Sequence, residues 1–380
     1  MSGPAYPPAR AIASAVHERF ERRLAAARAK GRRGLATVPD AATIEAIINA
    51  AFWASLRREE GYWPKISLAF LAPEEAARPL MLERRLRLEP AALARLAPAV
   101  ERPGIHLGVW RDAEGLCVWG MTRTIPRLCF VLEVVEPGLL VVKYRRAKEH
   151  GKYVNVAALK GDQIKVVDES GASLPDCPAP ITSMLGFGSQ ASANADNVDV
   201  LVQLAASMRA HGRGGSLLVV PHGTEGWRES IMRPVNYPVV PPFTELSDLM
   251  RAEASERDQQ TWQEALIDAV EAMAGLTAVD GAALITDRYD LLAFGAKIML
   301  REGRPPVEQI VLTEPVVGDI ATVSDPSQLG GTRHISAAQF VQDQHGSVAL
   351  VASQDGRFTV FAWSPCENMV HAHRVETLLL

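Results

Sequence analysis

The stretch Gly-Gly-Thr-Arg-His at 330–334, taken together with Val-Asp-Gly-Ala at 279–282, organises the C-terminal half of this 380-residue chain. The first places a glycine pair before a hydroxyl, a guanidinium and an imidazole, at the head of a segment with helical character. The second precedes an apolar, strand-like run at 282–285. Glycines let backbone N–H groups approach an anion, and a helix N-terminus favours negative charge. The first stretch therefore suggests phosphate binding, whereas the second presents a single carboxylate, Asp280.

Each stretch also has a purely structural interpretation. Thr332 is a common helix N-cap residue after a tight turn, and Asp-Gly is a common turn dipeptide. What favours a ligand at Asp280 is its place between a helix end and an apolar strand, at a sheet edge of the kind where α/β proteins bind ligands. A carboxylate there can hold Mg²⁺ or Mn²⁺ and help to activate a hydroxyl for attack on a phosphate.

The residues around these two stretches alternate between helical and strand periodicity, which predicts an α/β domain with a mixed sheet. The proline-punctuated segment 222–243 indicates an ordered loop. Helices are predicted near 196–211, 262–275 and 335–343, and strands at 216–220, 282–286, 291–296, 347–352 and 357–362.

In this order the segments resemble the diadenylate cyclase (DAC) domain family, which condenses two ATP molecules into cyclic di-AMP. The resemblance covers roughly 198–365 and is anchored by Asp280-Gly281-Ala282 and Gly331-Thr332-Arg333-His334. It implies a mixed sheet wrapped by helices and self-association of two such domains face to face. Each domain would present one ATP, so that the 3′-hydroxyl of one attacks the α-phosphate of the other.

The resemblance also implies roles for individual residues. Asp280 would hold the Mg²⁺ or Mn²⁺ ion and prepare the 3′-hydroxyl, and Arg333 and His334 would act with it in catalysis. The residues expected to contact ATP are Gly281, Ala282, Gly331, Thr332, Arg333, His334 and Ser353.

The sequence departs from the family pattern at several positions. Ile335 stands where the family usually has an arginine, Gln354-Asp355 stands in place of Glu-Glu, and Val279 replaces a common histidine. Segment 301–325 looks like an insertion between the two motifs. A second hypothesis is therefore a module that binds ATP or a cyclic dinucleotide as a sensor without turnover. A third is a structural scaffold in which Asp280 and Arg333 form a salt bridge.

The N-terminal half predicts an α+β region with a sensory or regulatory role, responding to a signal that the sequence does not identify. A charged helical stretch at 10–33 is followed by an amphipathic helix that Asp40 caps and Gly61 ends. Short helical patterns are predicted around 80–98. Trp110, Trp119, Arg123 and Arg127 are either pocket-lining residues or ordinary core and surface residues. Strands are predicted at 65–71, 105–110, 116–120, 129–135 and 139–144.

These patterns divide the chain into a helical segment at 1–62, a β-rich α+β domain at 63–180, a DAC-like domain at 196–366 and a tail at 367–380. The proposed boundary between the second and third parts is a linker containing Pro175, Pro178 and Pro180.

Composition narrows the class of protein. Hydrophobic residues make up 48% and charged residues 22% of the chain, which is typical of a globular protein. The formal charge of −4 argues against a dedicated nucleic-acid binder. The four cysteines are scattered and the N-terminus lacks an apolar signal core, so we expect a cytoplasmic protein without a membrane span.

Two weaker candidate sites complete the list. His371, His373 and Cys366 suggest a metal site only loosely. Trp227 and Tyr237, in the proline-rich segment, would either stack on an adenine or fill a groove.

Overall fold

The computed structural model describes residues 4–145, 153–168, 200–257 and 260–380. They form two compact units, one running to Val167 and including Leu380, the other running from Asp168 to Leu379. Each unit is built on its own mixed β-sheet with helices, which confirms the mixed α/β class expected from the sequence. The predicted linker prolines lie outside the described residues.

The N-terminal unit has an eight-stranded sheet within the part of the chain that the structure describes. The strand order is β2-β4-β3-β1-β5-β6-β7-β8, in which β1 and β3 are parallel. Its elements are α1 (Pro7–Ala29), α2 (Ala41–Ser55), β1 (Ile66–Phe70), β2 (Leu80–Arg87), α3 (Pro90–Val100), β3 (His106–Asp112), β4 (Gly115–Thr122), β5 (Phe130–Glu136), β6 (Leu139–Arg145), β7 (Tyr153–Lys160) and β8 (Gln163–Val166).

Helices α1 to α3 share one core with one face of this sheet. Ile44 and Ile48 lie on the buried stripe of α2 and are fully buried there. Strands contribute alternate residues to the same core because successive side chains of a strand point to opposite faces. Asp40 caps α2 as predicted, since its carboxylate accepts a hydrogen bond from the Thr43 N–H at 2.7 Å. The helix ends at Ser55, six residues before Gly61.

The opposite face of the sheet carries a buried hydrogen-bonded chain. The Ser67 hydroxyl lies 2.7 Å from His106 Nδ1, and His106 Nε2 lies 2.8 Å from the Tyr153 hydroxyl. His106 is fully buried. Burial, followed by the nearby positive charges of Lys143 and Arg145, lowers the pKa of His106 to about 4. The imidazole is therefore neutral in the folded protein at neutral pH.

Acid is expected to destabilise the N-terminal unit through His106. In the unfolded chain His106 is protonated below the ordinary histidine pKa of about 6.5, whereas in the folded chain it stays neutral down to about pH 4. Between these two pH values only the unfolded state gains the proton, so the free energy of unfolding falls as the pH is lowered. The full loss is on the order of 3 kcal/mol at 1.36 kcal/mol per pKa unit. Hydrogen exchange of β1 and β3 in the full chain at pH 7 and pH 5, corrected for the chemical exchange rate, measures the roughly 2 kcal/mol of this loss that is expected by pH 5.

The His106→Gln variant should lose most of this pH dependence, whereas His17→Gln, on α1 of the same unit, should keep it. Equal pH dependence in wild type and His106→Gln would contradict the assignment.

One expectation for this unit is wrong. Residues 80–87 form the strand β2 and only the following segment is helical. Leu80 and Met81 are exposed at the edge of the sheet, and this run alternates too weakly for a strand to be recognised. Trp119 is fully buried and donates its indole N–H to the carbonyl of Leu71 at 2.9 Å, so of the two interpretations given for it the core residue is the one confirmed.

The C-terminal unit has a nine-stranded sheet within the described residues. The strand order is β10-β12-β11-β9-β15-β16-β17-β13-β14, with β9–β11 and β13–β17 parallel. Its elements are α4 (Val200–Ala210), β9 (Gly215–Val220), β10 (Tyr237–Phe243), α5 (Glu245–Arg251), α6 (Ala254–Arg257), α7 (Gln260–Leu276), β11 (Ala282–Thr286), β12 (Leu291–Ala296), β13 (Ile310–Thr313), β14 (Thr322–Ser324), α8 (Thr332–Asp343), β15 (Val348–Ala352), β16 (Phe358–Ser364) and β17 (Met369–Arg374).

Helix α8 is fixed in place by its apolar face. Phe340 and Val341 are fully buried in a core shared with Leu218 of β9, Val351 of β15 and Phe361 of β16. Helices α4 and α7 pack against each other, and α4 also contacts β15. The N-terminus of α8 is thereby held beside the ends of the central strands.

Three segments differ from the sequence-based expectation. The proline-rich segment 222–243 is not only a loop, because its end forms the edge strand β10, paired with β12. The segment 301–325 contributes the strands β13 and β14. Residues 367–380, set apart in the sequence as a tail, contain β17, which pairs with β16 on one side and β13 on the other.

Across the described residues, no helix combines the length and apolar character needed to cross a membrane.

Candidate functional site

A cavity of about 590 Å³ opens in the C-terminal unit, where β9 and β11 begin, β12 and β15 end, and α8 starts. Its volume lies within the range typical of small-molecule sites. The cavity brings together every site residue predicted from the sequence, namely Asp280, Gly281, Ala282, Gly331, Thr332, Arg333, His334 and Ser353. Two stretches about fifty residues apart in the sequence therefore face one space.

The cavity lies at the opposite end of the strands from the one that the sheet-edge rule suggests. Asp280 precedes β11, so it stands at the amino end of the parallel pair β9–β11. Ligands of α/β proteins ordinarily bind beyond the carboxyl ends of parallel strands. Here the antiparallel neighbours β12 and β15 bring their own carboxyl ends to this edge.

Gly281 is required by the backbone of the sheet. Its φ is +107°, and a Cβ at this position would lie 2.5 Å from the carbonyl carbon of Gly295. Any larger residue would push β11 away from β12, where Ala282 pairs with Ala296. Gly281 therefore sets the position of Asp280, whatever the cavity binds.

The start of α8 differs in detail from the predicted cap. The N-cap residue is Gly331 and not Thr332, and no side chain caps the helix. Thr332 is the first helical residue and lines the cavity. The His334 N–H is bonded to the carbonyl of Gly331 at 3.0 Å. The N–H groups of Thr332 and Arg333 precede any carbonyl that the helix could offer them, so this terminus favours an anion.

The glycine pair before α8 has one sterically demanding member. A Cβ at Gly330 would lie 2.5 Å from Nδ1 of His334, whereas a Cβ at Gly331 would meet nothing within 4 Å. Gly330, which the sequence analysis did not assign to the site, therefore makes room for the His334 ring. Gly331 provides an open approach to the helix terminus.

His334 is a neutral hydrogen-bonding group and not a cation at neutral pH. It is 3% exposed and packs edge-on against Phe361, with ring centroids 6.1 Å apart. Burial is the first cause of its lowered pKa; the Asp355 carboxylate opposes this effect, and Arg374, Arg357 and Arg333 add to it. Among the residues that the structure describes, Nε2 is buried without a hydrogen-bond partner. A cavity ligand could supply that partner.

Arg333 supplies a guanidinium at the mouth of α8. Its Nη1 lies 3.1 Å from the point where a Cβ at Gly214 would stand, which places it beside the start of β9. Within the described part of the chain, no ion pair occupies this guanidinium. A planar group with several free N–H donors suits a phosphate.

Asp280 and Lys297 are in contact in the cavity lining. The Asp280 carboxylate is 89% exposed and its Oδ2 lies 3.5 Å from Nζ of Lys297, which follows β12. The salt bridge between Asp280 and Arg333, expected of a pure scaffold, is absent among the described contacts. Lys297 was missed by the sequence analysis because a single lysine after a strand has no motif around it.

The carboxylate chemistry fits a hard divalent ion held jointly with a ligand. Among the described residues no group of three His, Cys, Asp or Glu side chains could hold a metal, which leaves His371, His373 and Cys366 without that role. Asp280 is the carboxylate lining the cavity in the described chain. Mg²⁺ binds proteins through one or two carboxylates together with substrate phosphates, so Asp280 suits it only when a phosphorylated ligand is present.

Of the positions that depart from the family pattern, some line the cavity and others do not. Gln354 lines the cavity, whereas Ile335 does not and is partly exposed on α8. Asp355 turns to Arg357, with Oδ2 3.3 Å from Nε. The aromatic candidates are also outside the lining, since Trp227 is buried in the core and Tyr237 stacks on Phe294, 4.8 Å between centroids.

Comparison with known proteins adds one match in the N-terminal unit. Residues 33–123 match a family described as "Probable sensor domain DACNV". This matched segment includes α2, α3 and β1 to β4 and is consistent with the sensor-like N-terminal region expected from the sequence. No family model of a diadenylate cyclase catalytic domain matches the chain, and no curated protein matches it.

Among solved structures, the chain is similar to a hypothetical membrane spanning protein from Bacillus cereus, determined by structural genomics. The identity is 14%, the alignment covers 51% of this chain and 70% of that chain, and the TM-score is 0.29. A TM-score this low does not establish a shared fold.

Proposed function

We propose that the C-terminal unit is a diadenylate cyclase domain with a DAC-like arrangement of helices around its sheet. The observation that supports the proposal is the convergence of Asp280-Gly281-Ala282 and Gly331-Thr332-Arg333-His334 on one nucleotide-sized cavity. A carboxylate, a guanidinium and a helix N-terminus all line this cavity. The carboxylate suits activation of a hydroxyl, and the guanidinium and helix N-terminus suit binding of a phosphoryl group.

In the proposed reaction, two domains face each other with one ATP in each cavity. The 3′-oxygen of one ATP forms a bond to the α-phosphorus of the other, while the bond from that phosphorus to the bridging oxygen breaks. Pyrophosphate leaves with the bonding electrons, and the hydroxyl proton passes to solvent near Asp280. The same exchange at the second cavity closes the ring, giving one cyclic di-AMP and two pyrophosphates.

The chain's residues have distinct parts in this scheme. Asp280 would hold Mg²⁺ or Mn²⁺, which supplies charge neutralisation and acidifies the attacking hydroxyl. The Arg333 guanidinium and the backbone N–H groups of Thr332 and Arg333 bind the phosphate oxygens. His334 donates one hydrogen bond from its neutral ring, at the position where Nε2 now has no partner among the described residues. Gly331 lets the phosphates approach, and Ser353 lies at the end of β15 as a further hydroxyl.

We further propose that the N-terminal unit regulates this activity in response to a signal. The support is the DACNV match at 33–123 together with the separate core of that unit.

The second candidate function is a module that binds ATP or a cyclic dinucleotide without turnover. The observation favouring it is the turn 353–356, where Gln354 reaches the cavity and the Asp355 carboxylate is held by Arg357. A missing carboxylate at this turn would leave binding in place and slow the chemistry.

A product assay separates the two candidates. Purified full-length protein is incubated with ATP and Mg²⁺ or Mn²⁺, with GTP as competitor, and products are resolved by chromatography while pyrophosphate is measured. Cyclic di-AMP with two pyrophosphates per molecule is the expected result. Nucleotide binding by calorimetry without any pyrophosphate release would support the sensor instead, and absence of binding would overturn both.

A further inference from the structure

Lys297 occupies an unusual position for its residue type. It is the single lysine between residues 166 and 380, where every other strong cation is an arginine. It directly follows β12, whose last residue Ala296 pairs with Ala282 of β11. Continued by one residue, that register sets Lys297 opposite Gly281 and so beside Asp280, and the side chains of Lys297 and Asp280 both line the cavity. The one lysine of the C-terminal unit therefore lies next to Asp280, the proposed metal ligand.

The contact between Lys297 and Asp280 is weakly held. The separation of Nζ and Oδ2 is 3.5 Å, and the two side chains are 51% and 89% exposed. Solvent screens an ion pair of this kind, which contributes little to stability. A lysine ammonium on its flexible four-carbon stem can therefore leave the carboxylate for a stronger anionic partner.

The charges that line the cavity favour an anionic ligand as this partner of Lys297. Within the described residues, the lining carries two cations, Arg333 and Lys297, and one anion, Asp280. His334 adds no charge, because burial lowers its pKa. A triphosphate carries several negative charges, and Arg333 together with the helix terminus neutralises only part of this charge. Lys297 is the remaining cation.

We propose that Lys297 is a phosphate-binding residue that pairs with Asp280 in the ligand-free cavity and moves to phosphate oxygens when a nucleotide binds. The exchange frees the Asp280 carboxylate at the moment when a phosphorylated ligand can help it to hold a divalent ion. Asp280 and the phosphates thus compete for one ammonium group. The assignment of a nucleoside triphosphate as the ligand rests on the proposed function.

Calorimetric titration with ATP in EDTA, without divalent metal, tests this exchange. The Lys297→Met variant should bind ATP about tenfold more weakly, the scale of one charge-assisted hydrogen bond. Asp280→Asn should bind ATP more tightly than wild type under these conditions, because the ammonium has lost its competing partner. Adenosine, which has no phosphate, should bind Lys297→Met as it binds wild type.

Controls separate this inference from the proposed function. Arg304→Met removes an exposed cation outside the cavity and should leave ATP affinity unchanged. Wild-type affinity in Lys297→Met, with binding lost in Arg333→Ala, overturns the role of Lys297 and leaves nucleotide binding intact. Equal weakening for ATP and adenosine also overturns it, since a distorted cavity explains that result. If wild-type protein binds no ATP with or without metal, the proposed function itself fails and Lys297 has no phosphate to bind.

Discussion

Replacing Asp280 with asparagine is expected to lower the rate of cyclic di-AMP formation by at least about a hundredfold, the usual contribution of a group that helps to activate a reacting hydroxyl. Asparagine keeps the size of the side chain but removes the charge that would hold a divalent ion. The fold should be unaffected, because the carboxylate is 89% exposed and its contact with Lys297 is a solvent-screened ion pair. Steady-state product formation at saturating ATP measures the rate, and thermal melting checks the fold.

The matched control is Asp268→Asn, which removes an exposed carboxylate from α7, outside the cavity lining. It should retain wild-type turnover. An Asp280→Asn protein that turns over at the wild-type rate in Mg²⁺ and Mn²⁺ would remove Asp280 from the reaction, even if cyclic di-AMP is the product.

Much of the architecture could be predicted from local sequence. The strands β9, β11 and β15 are runs of buried apolar residues bounded by turns, and α2 has an unmistakable spacing of isoleucines behind the Asp40 cap. Edge strands were missed for a physical reason. β2 and β10 are largely exposed, so neither shows the alternation that burial on one face imposes.

The site was only partly predictable, and the difference lies in contacts between distant residues. The order of Asp280-Gly281 and Thr332-Arg333-His334 could be read from the sequence, and the structure brings both to one cavity. Lys297 could not be identified, because only the pairing of β11 with β12 brings it beside Asp280. Likewise, the sequence does not show that Ile335 lies outside the cavity lining, because this depends on how α8 is rotated against the sheet.

Arg333 is expected to have the largest effect on nucleotide affinity. Its guanidinium has no ion pair within the described residues and stands at the uncapped start of α8, so its hydrogen-bonding capacity is available to a phosphate. Hydrogen bonds to charged groups contribute about 1.5–3 kcal/mol, so Arg333→Ala should raise the Kd for ATP by roughly tenfold to a hundred and fifty-fold. Calorimetry with ATP in the presence of Mg²⁺ provides the measurement.

The lysine variant distinguishes a geometric role of Arg333 from simple attraction between charges. Arg333→Lys keeps the positive charge but loses the planar fork that can bind two phosphate oxygens at once, so it should recover only part of the lost affinity. Arg288→Ala removes an exposed arginine from the turn after β11 and should bind ATP as wild type does. If Arg333→Lys recovered the full affinity for ATP, residue 333 would act only through its positive charge. Undiminished affinity in Arg333→Ala would mean that the cavity does not hold phosphates at the start of α8, and the Thr332-Arg333-His334 motif would then be a helix start and nothing more.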